Sequence, residues 1–333
     1  MKAIVRESGM EQGMVYRDIA PDVVKPGDVK IRMVSAGLNH RDLFVVSTFK
    51  SNGVDTIIGS DGAGVIEEVG ENVSNFNTGD EVVINPSLNW FEGEDAPPAD
   101  FRILGFPDHG TFANYIVISA DQIEKKPSYL SWEEAGVLPL AALTGYRALF
   151  TRAKAEAGKT IFIPGIGGGV ATMMLQFAKA VGCKVIVSSR SKNKRERALE
   201  LGADYAFDTN EDWIKELKNE QVDIVIDTIG KATINQAFKV LMKGGALVNL
   251  GATTGDDLHL NLRDFFFGQY NFLGTTMGNR HEFREMLRFI EKHNIRPVVD
   301  KVYPLEKTKK AMDYLDKAAQ FGKVGLLISE HYE

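Results

Sequence analysis

The chain has 333 residues, of which 44% are hydrophobic and 25% are charged, and its formal net charge is −6 at pH 7. This composition is typical of a globular protein and excludes the disordered, collagen-like and disulfide-scaffold classes. The excess of acidic residues argues against general binding to nucleic acid or to anionic membranes. A chain of this length is expected to form two domains.

Cys183 is the only cysteine, so neither an internal disulfide nor a cysteine-based zinc cluster can form, as suits a reducing cytosol. The opening residues, MKAIVRESG, lack the apolar stretch of a signal peptide. The apolar stretch AGVLPLAAL is too short to span a bilayer and contains Pro139. We therefore expect a soluble, cytoplasmic protein.

Short strands separated by glycines are predicted in the first third of the chain. Apolar and polar residues alternate in DVKIRMV (residues 28–34). Short apolar runs follow in GAGVIEEVG, GDEVVIN and FANYIVI. This pattern indicates a mainly β domain.

From about residue 139 the pattern changes to strands that alternate with helices, which is typical of a parallel sheet with helices on both faces. Six strands are predicted, namely TIFI (160–163), KVIVSS (184–189), YAFD (205–208), VDIVID (222–227), ALVNL (246–250) and NFLGT (271–275). Helical apolar spacing occurs between them in ATMMLQFAKAVG, KRERALELG, EDWIKELKN and TINQAFKVLMKGG. Such a succession makes a complete dinucleotide-binding (Rossmann) sheet.

From about residue 279 the pattern predicts a helix, a strand, a second helix and a last apolar strand, KVGLLIS. We expect this stretch to rejoin the first domain. The predicted division is residues 1–138 with 279–333 for the mainly β domain, and residues 139–278 for the dinucleotide-binding domain.

A glycine-rich turn, PGIGGGVA, follows the strand TIFI and opens a helix. Glycines in this position let the backbone approach a pyrophosphate closely, while the helix N-terminus supplies free amide groups. Ala171 stands where the third glycine of the GxGxxG pattern would be. The alternative is a plain tight turn. The predicted cofactor contacts in this turn are Gly165, Ile166, Gly167, Gly168, Gly169 and Val170.

The second strand of this sheet ends at Ser189, about 20 residues after the turn, where an NAD enzyme would place the Asp or Glu that binds the adenosine ribose. The sequence there is SSRSKNKRER, which offers cations instead. Cations at the start of a helix oppose its dipole, so the segment predicts a bound anion, the 2′-phosphate of NADPH. We expect Arg190 and Lys194 to bind it, with Ser189 as a hydroxyl donor. The alternative is a solvated, basic helix start.

Four segments resemble the medium-chain dehydrogenase/reductase superfamily in their order and spacing, namely GSDGAGVIEEVG (59–70), LPLAALTGYRALF (138–150), the PGIGGGVA turn and the terminal GKVGLLI. The resemblance covers nearly the whole chain. It is greatest to the zinc-lacking quinone oxidoreductase and enone reductase branch, including bacterial proteins of the zinc-type alcohol dehydrogenase-like group. It implies an α/β fold with a GroES-like, mainly β catalytic domain beside the Rossmann domain. It also implies a homodimer formed by pairing the NFLGT edge strands.

The resemblance also identifies where a catalytic zinc would be held. Zinc alcohol dehydrogenases use a Cys, a His, and a Cys or acidic residue at positions that correspond here to Asn39, Ser60 and Leu140. Zinc is held by thiolate, imidazole or carboxylate ligands, and these three side chains offer none. The loop that would carry a structural zinc, NWFEGEDAPPADFRILGFPDHG, contains no cysteine. We therefore expect no metal site.

A family member without zinc must stabilise charge through hydrogen bonds, which suits activated alkenes and quinones. The resemblance implies that Asn39 is a donor near the nicotinamide, with His40, Arg41 and Asp42 as neighbouring catalytic candidates. The alternative is that Asn39 caps a loop and that the other three form a structural polar network around the following helix.

Further contacts follow from the resemblance. It implies that Asp61 pairs with Lys323, whose family equivalent lies at the cofactor pyrophosphate, and that Thr144 packs on the nicotinamide. Ligands in such sheets lie beyond the carboxyl ends of the strands, so three residues that end strands are also expected to face the cofactor, namely Gly251, Thr276 and Met277.

An apolar substrate pocket is a further possibility, although aromatic residues belong more often to the core. The aromatic residues that could line it are Phe44, Phe49, Trp90, Phe91, Phe266 and Phe267.

These observations predict an NADPH-dependent oxidoreductase that transfers hydride to an activated alkene, a quinone or a carbonyl without zinc. Two alternatives remain open, an alcohol dehydrogenase with non-standard metal use and a non-catalytic NADPH-binding protein. The expected partner is a small-molecule substrate, with no nucleic acid and no membrane.

Overall fold

The computed structural model describes residues 1–9, 13–47, 53–93 and 95–329. The chain divides into two compact units. The first unit consists of Met1–Ala141 together with Gly278–Glu333, and the second consists of Ala142–Met277. Within the described ranges, every helix is too short or too polar to cross a lipid bilayer.

The first unit is mainly β. Its strands are β1 (Lys2–Arg6), β2 (Val15–Asp18), β3 (Asp28–Gly37), β4 (Thr56–Ile57), β5 (Asp61–Val69), β6 (Glu81–Ile84), β7 (Ser87–Leu88), β8 (Arg102–Ile103), β9 (Tyr115–Ser119), β10 (Ile123–Lys125), β17 (Val299–Pro304) and β18 (Lys323–Leu327). Its helices are α1 (His40–Ser47), α2 (Trp132–Val137), α9 (Arg280–Lys292) and α10 (Thr308–Asp316). The helix α3 (Pro139–Tyr146) begins in this unit and ends in the second.

The largest sheet of the first unit has the strand order β10-β6-β5-β3-β18-β17, and β9 also pairs with β3. The alternation predicted in β3 is present, because Val29, Ile31 and Met33 are buried in one apolar cluster. The last strand, β18, pairs antiparallel with β3, and Gly325 lies opposite Gly37. The C-terminal stretch therefore completes the sheet that the N-terminal part begins.

A second apolar cluster holds α1 and α10 against this sheet. It contains Leu38 and Val45 near α1, Met312 and Leu315 of α10, and Val324 of β18. The residue pairs of this cluster are far apart in sequence, so α1 is fixed by the C-terminal part of the chain. This packing sets the direction in which the first turn of α1 presents its polar side chains.

The second unit is a parallel sheet with helices. Its strands are β11 (Thr160–Ile163), β12 (Lys184–Ser188), β13 (Tyr205–Phe207), β14 (Val222–Asp227), β15 (Leu241–Asn249) and β16 (Asn271–Gly274). Its helices are α4 (Gly169–Ala180), α5 (Lys192–Glu200), α6 (Trp213–Glu216), α7 (Ile234–Val240) and α8 (Leu262–Gly268). All six predicted strands are present, and the α/β class with a Rossmann sheet is confirmed.

The strand order in this sheet is β13-β12-β11-β14-β15-β16, and every pairing is parallel. The order reverses between β11 and β14. In open parallel sheets, ligands bind beyond the carboxyl ends of the strands at such a reversal. The glycine turn follows β11 directly and therefore lies at that place.

Two elements of the second unit differ from the prediction. The helix predicted in EDWIKELKN is only the single turn α6, which Asp212 caps by accepting from the backbone N–H groups of Ile214 and Lys215. Strand β15 begins at Leu241, earlier than predicted, because Leu241 already pairs with Val222. Local propensity favours a longer helix in both segments, and the pairing and packing of the sheet override it.

Tyr129 gives a test of how α9 is fastened in the first unit. Its hydroxyl donates to the carbonyls of Ile295 at 2.6 Å and Ile290 at 3.0 Å, at the C-terminal end of α9. Tyr129→Phe should lower the free energy of unfolding by about 1–2 kcal/mol, because it removes the donor of the Ile295 carbonyl, whereas the Ile290 carbonyl still accepts from the Ile295 N–H. The urea midpoint measures this loss.

The control is Tyr16→Phe, which makes the same change on the exposed ring of Tyr16. The control should unfold like the wild type. Equal stability of the Tyr129→Phe variant and the wild type would show that the hydroxyl does not fasten the helix.

Candidate functional site

The turn between β11 and α4 has a backbone that only glycine adopts readily. Gly165 has φ +74° and Gly167 has φ +141°, both in the left-handed half of backbone space. The N-cap of α4 is Gly168, whose backbone is extended. Because glycine has no side chain, no side chain caps the helix. The first N–H groups of α4, from Gly169 onward, have no partner within the helix and can donate to a phosphate.

The turn is fixed from both sides. The Ile166 N–H donates to the carbonyl of Ser188 at the end of β12, at 2.8 Å, and the Ile166 side chain is buried. Thr172 donates its hydroxyl to the carbonyls of Gly168 and Gly169 at 3.2 and 3.0 Å. Val170 is half-buried in the first turn of α4. The predicted turn residues are therefore held as one rigid loop.

Lys194 lies over this loop. A Cβ atom added to Gly167 would be 2.7 Å from the Lys194 Cδ and 3.0 Å from its Nζ, so a larger residue cannot stand there without moving Lys194. The structure thus brings the ammonium group of α5 to the glycine turn. A cradle of free amides with a cation over it fits the phosphates of a dinucleotide.

The cations of the predicted ribose segment differ in whether a described carboxylate lies close to them. Arg195 pairs with Asp208 at 2.8 Å and also donates to the Ser189 carbonyl. Lys192 lies 3.7 Å from Glu196 one turn further along α5. Arg190 is exposed, and in the ranges that the structure describes no carboxylate comes within ion-pair distance of it. Lys194 lies over the turn, and Arg190 follows the end of β12 without a described carboxylate beside it.

Ser189 is buried at the end of β12, and its backbone N–H donates to the carbonyl of Phe207. Its hydroxyl oxygen accepts from the Ser191 N–H at 3.3 Å, and Ser191 in turn caps α5. The hydroxyl proton of Ser189 remains available to an acceptor. No carboxylate stands at this strand end, because β12 ends at Ser188 and the next residue is Ser189.

Three further predicted contacts lie after the last two strands of the sheet. A Cβ atom on Gly251 would be 2.1 Å from the Thr228 carbonyl oxygen, so the chain segments after β14 and β15 approach as closely as glycine allows. Thr276 is half-buried and Met277 is buried just beyond β16. Thr144 is buried on α3. Gly251, Thr276 and Met277 lie beyond the carboxyl edge of the sheet, as the sequence predicts.

Asp227 is a residue of this edge that the sequence analysis missed. It ends β14, is fully buried, and its Oδ1 accepts from the backbone N–H groups of Ile229 at 2.9 Å and Gly230 at 2.6 Å. Burial raises the pKa of Asp227, and these hydrogen bonds act against that rise. The signal in the sequence is a single carboxylate that ends an apolar strand shortly before a glycine. Asp227 shapes the loop that follows β14.

A buried polar cluster joins α1, β5 and β18 in the first unit. The Lys323 ammonium donates to Asn39 Oδ1 at 2.6 Å, to the Leu38 carbonyl at 2.8 Å and to Asp61 Oδ2 at 2.9 Å. Asn39 Nδ2 donates to the same Asp61 oxygen at 2.9 Å. Asp61 Oδ1 accepts from the backbone N–H of Leu140 at 2.7 Å. Both charges of the pair are therefore fully hydrogen-bonded.

This geometry bears on the predicted cofactor contact of Lys323. The expected pair of Asp61 and Lys323 is present, and the Lys323 ammonium donates to protein groups. An ammonium group has three N–H donors, and all three are directed to protein acceptors. Lys323 positions Asn39, whose amide it holds in one orientation.

Arg41 lies beside this cluster in the first turn of α1. Its Nη1 donates to Ser60 Oγ at 2.6 Å and to the Leu104 carbonyl at 2.8 Å, and Ser60 Oγ donates to the same carbonyl at 2.9 Å. Burial lowers the pKa of Arg41, and the charges of Asp42 and Asp61 act against that. The three groups form a closed triangle that fixes the guanidinium.

The other two residues of the predicted polar run differ in exposure. His40 is exposed, whereas Asp42 is fully buried. Asp42 Oδ2 accepts from the backbone N–H of Asn39 at 2.8 Å, which caps the start of α1. Asp42 Oδ1 finds no hydrogen-bond partner among the described residues. Burial raises the pKa of Asp42 to about 6, against the charge of Arg41.

The three positions that correspond to zinc ligands do not make a zinc site. Asn39 and Ser60 offer an amide and a hydroxyl, and both are hydrogen-bonded to protein groups. Leu140 offers an alkyl side chain. Within the described ranges, no group of three or more His, Cys, Asp or Glu residues could hold a metal ion. These donors do not fit the thiolate, imidazole and carboxylate chemistry that zinc requires.

The predicted aromatic residues do not share one environment. Trp90 is 1% exposed and donates its indole N–H to the Gly93 carbonyl, so it belongs to the core. Phe44 and Phe91 are exposed in the first unit, and Phe91 lines a cavity of about 380 Å³ with Arg280. Phe266 and Phe267 are exposed on α8 in the second unit. Phe49 lies outside the described residues.

Comparison with known proteins identifies relatives over the whole chain. Residues 169–292 match the zinc-binding dehydrogenase family model, and residues 25–128 match the alcohol dehydrogenase GroES-like domain. A zinc-type alcohol dehydrogenase-like protein of Schizosaccharomyces pombe is 34% identical, with 96% of each chain covered. A crotonyl-CoA reductase of Streptomyces avermitilis is 28% identical over 97% of this chain and 83% of its own length. The crystal structure of an NAD-dependent alcohol dehydrogenase has a TM-score of 0.92 at 32% identity and covers 99% of this chain and 100% of its own.

Asp42 makes stability depend on pH in a defined direction. A buried carboxyl whose pKa is raised from 3.8 to about 6 binds more protons in the native state than in the unfolded chain between these values. The stabilising effect of this proton is complete below pH 4 and is lost as pH rises through 6. Between pH 4.5 and 7.5 the wild type should lose about 2 kcal/mol of unfolding free energy through Asp42. Asp42→Asn cannot titrate, so it should not show this loss.

Urea unfolding at several pH values measures this difference. The matched control is Asp22→Asn, which makes the same change on an exposed loop residue. Its curve should run parallel to that of the wild type. If the Asp42→Asn curve is also parallel, Asp42 does not carry a raised pKa in the folded protein.

Proposed function

The chain belongs to the medium-chain dehydrogenase/reductase superfamily, and we propose that it is an NADPH-dependent oxidoreductase that transfers hydride to an activated alkene, a quinone or a carbonyl without zinc. Oxidoreductase activity follows from the family. The observation that carries the finer proposal is the position of Lys194 over the glycine turn, with Arg190 unpaired by any described carboxylate. A ribose 2′-phosphate would supply an anionic partner for Arg190, and Lys194 would lie close to it at the turn.

In this proposal the second unit holds the cofactor through its own backbone. The N–H groups of Gly168, Gly169 and Val170 would donate to the pyrophosphate, since no side chain occupies the N-terminus of α4. Arg190 would clamp the 2′-phosphate through its fork of N–H donors, and Ser189 would donate its hydroxyl. When it is bound, the nicotinamide supplies the hydride.

The donors in the first unit support the proposed substrate class. Hydride addition to a carbon conjugated with a carbonyl moves negative charge to the oxygen, which hydrogen-bond donors can stabilise without a metal. Asn39 is held rigidly by Lys323 and Asp61, and it keeps one amide N–H beyond these bonds. A relative that is described as a crotonyl-CoA reductase acts on such a conjugated alkene, which supports this class.

One alternative activity is favoured by a specific observation. The solved structure with a TM-score of 0.92 is described as an NAD-dependent alcohol dehydrogenase, so NAD and an alcohol are the second candidates. The absence of an acidic residue at the end of β12 argues against NAD, because such a residue binds the ribose hydroxyls. The side chains of Asn39, Ser60 and Leu140 argue against a zinc-bound alkoxide.

Titration with NADPH and NADH tests the cofactor proposal. Arg190→Asp should weaken NADPH binding by about 10- to 100-fold, because a charge-assisted hydrogen bond of about 1.5–3 kcal/mol is replaced by repulsion. NADH binding should change little. The matched control, Lys192→Asp, makes the same charge change on a neighbouring cation that already lies near Glu196, and it should leave the preference for NADPH intact.

Metal content and turnover with enones, quinones and alcohols are measured on the same samples. Equal binding of NADH and NADPH, or a stoichiometric zinc ion, would contradict the proposal. Tight NADPH binding without turnover of any substrate would identify a nucleotide-binding protein that is not an enzyme.

We further propose a homodimer that pairs the β16 strands of two second units. Strand β16 is the last in its sheet, and Phe272 on it is exposed. The neighbouring helix α8 exposes Leu262, Phe266 and Phe267, with the last at 63% exposure. An unpaired strand edge beside exposed aromatic rings is costly in water and favours association.

Light scattering tests the dimer. The wild type should have about twice the 36.8 kDa mass of one chain, and Phe272→Lys should shift it toward the monomer at low concentration. The matched control is Tyr205→Lys on β13, the strand at the opposite edge, where the aromatic ring is equally exposed. A monomeric wild type, or equal weakening by both variants, would contradict this interface.

A further inference from the structure

Two cations lie in or beside the buried polar cluster of the first unit, and the structure uses them differently. Lys323 has no N–H left, since its three donors reach Leu38, Asn39 and Asp61. Arg41 donates only through Nη1, to the Ser60 hydroxyl and the Leu104 carbonyl. Its Nε and Nη2 carry three more N–H groups, and these find no acceptor among the described residues.

The place of Arg41 is unfavourable for a cation that lacks an anionic partner. Arg41 lies in the first turn of α1, where the helix dipole favours negative charge. Its environment is largely buried, which also disfavours the charged form. Asp42 and Asp61 act on it through space, but within the described ranges neither lies within ion-pair distance of the guanidinium, and Asp61 is already bound by Lys323.

The guanidinium is nevertheless held in one orientation. The Ser60 hydroxyl accepts a hydrogen bond from Arg41 Nη1 and donates one to the Leu104 carbonyl, which also accepts from Arg41. Ser60 is fully buried, so water does not compete for these bonds. A donor fixed before the reaction stabilises developing charge without the cost of reorganising.

We propose that Arg41 is the cationic donor that binds the substrate oxygen on which negative charge develops, and that Ser60 is its positioning residue. The inference rests on the proposed function. As the hydride of NADPH adds to the substrate carbon, the π electron pair moves to the carbonyl oxygen and gives an enolate or hydroquinone anion. The N–H groups of Arg41 Nε and Nη2 bind that oxygen. A proton from water then completes the product, so that one NADPH and one proton are consumed for each substrate.

The first test uses 4-nitrophenol, an oxyanion probe whose ionised form is coloured. A guanidinium that faces the phenol oxygen lowers the pKa of the bound probe by about 1 to 3. This titration needs neither NADPH nor turnover. In the wild type the bound probe should ionise at lower pH than the free probe, whereas in Arg41→Met it should ionise like the free probe.

Variants of graded effect keep the test decisive if Arg41→Met does not fold. Arg41→Lys keeps the charge and should retain part of the effect on the probe. Ser60→Ala keeps Arg41 but removes the group that orients it, so the effect should shrink while the thermal midpoint stays near that of the wild type. The matched control is Arg288→Met, the same change on an exposed arginine of α9, which should leave the probe unaffected.

Steady-state kinetics with an enone and a quinone separate this inference from the proposed function. Loss of an oxyanion donor should lower kcat about 100-fold in Arg41→Met, with little change in KM or in NADPH affinity. If the wild type reduces these substrates and Arg41→Met does so equally well, the role of Arg41 is wrong and the function stands. If the wild type reduces none, the proposed function fails, and an Arg41-dependent effect on the probe still supports the oxyanion donor. An unshifted probe in the wild type, or a shift that survives in Arg41→Met, overturns the inference.

Discussion

The buried ion pair of Lys323 and Asp61 is the interaction on which the polar centre of the first unit depends. Removing two charges from water is costly, and this pair is tolerated because all three ammonium N–H groups and both carboxylate oxygens are hydrogen-bonded. The ammonium reaches the backbone of Leu38 and the amide of Asn39, while the carboxylate also holds the backbone of Leu140. One pair thereby fixes the start of α1, the strand β5 and the start of α3. Substitution of either partner leaves a lone charge in the core, which is more damaging than loss of the bond itself.

The two units use unpaired charge in similar ways. In the second unit, Arg195 is neutralised by Asp208 while Arg190 is left without a carboxylate among the described residues. In the first unit, all three N–H groups of Lys323 are hydrogen-bonded, whereas Arg41 donates only through Nη1 to described residues. In each case a satisfied cation stabilises the fold and a neighbouring cation is left available. Such a division is what a binding site requires, because a group that is already satisfied gains nothing from a ligand.

The parts of the site that the sequence predicted are those that depend on local geometry. The glycine turn could be predicted because a strand, several glycines and a helix follow one another directly in the sequence. The Rossmann sheet could be predicted from six apolar strands. The triangle of Arg41, Ser60 and Leu104 was not predictable, because its members are separated by 19 and 63 residues and meet only through tertiary packing. The three acceptors of Lys323 were not predictable for the same reason, since its sequence position does not reveal them. Asp227 was overlooked because a carboxylate at a strand end is indistinguishable from an ordinary turn residue.

The position of β18 at the end of the chain affects the order in which the two units can fold during synthesis. During synthesis, β3, α1 and β5 leave the ribosome before the whole second unit, and β18 follows only after α9, β17 and α10. Until β18 pairs with β3, Asp61 and Asn39 have no ammonium to bind, so the first unit cannot close its core around them. The second unit is continuous in sequence and needs no later segment to complete its sheet. Translation therefore favours folding of the second unit before the first unit is complete.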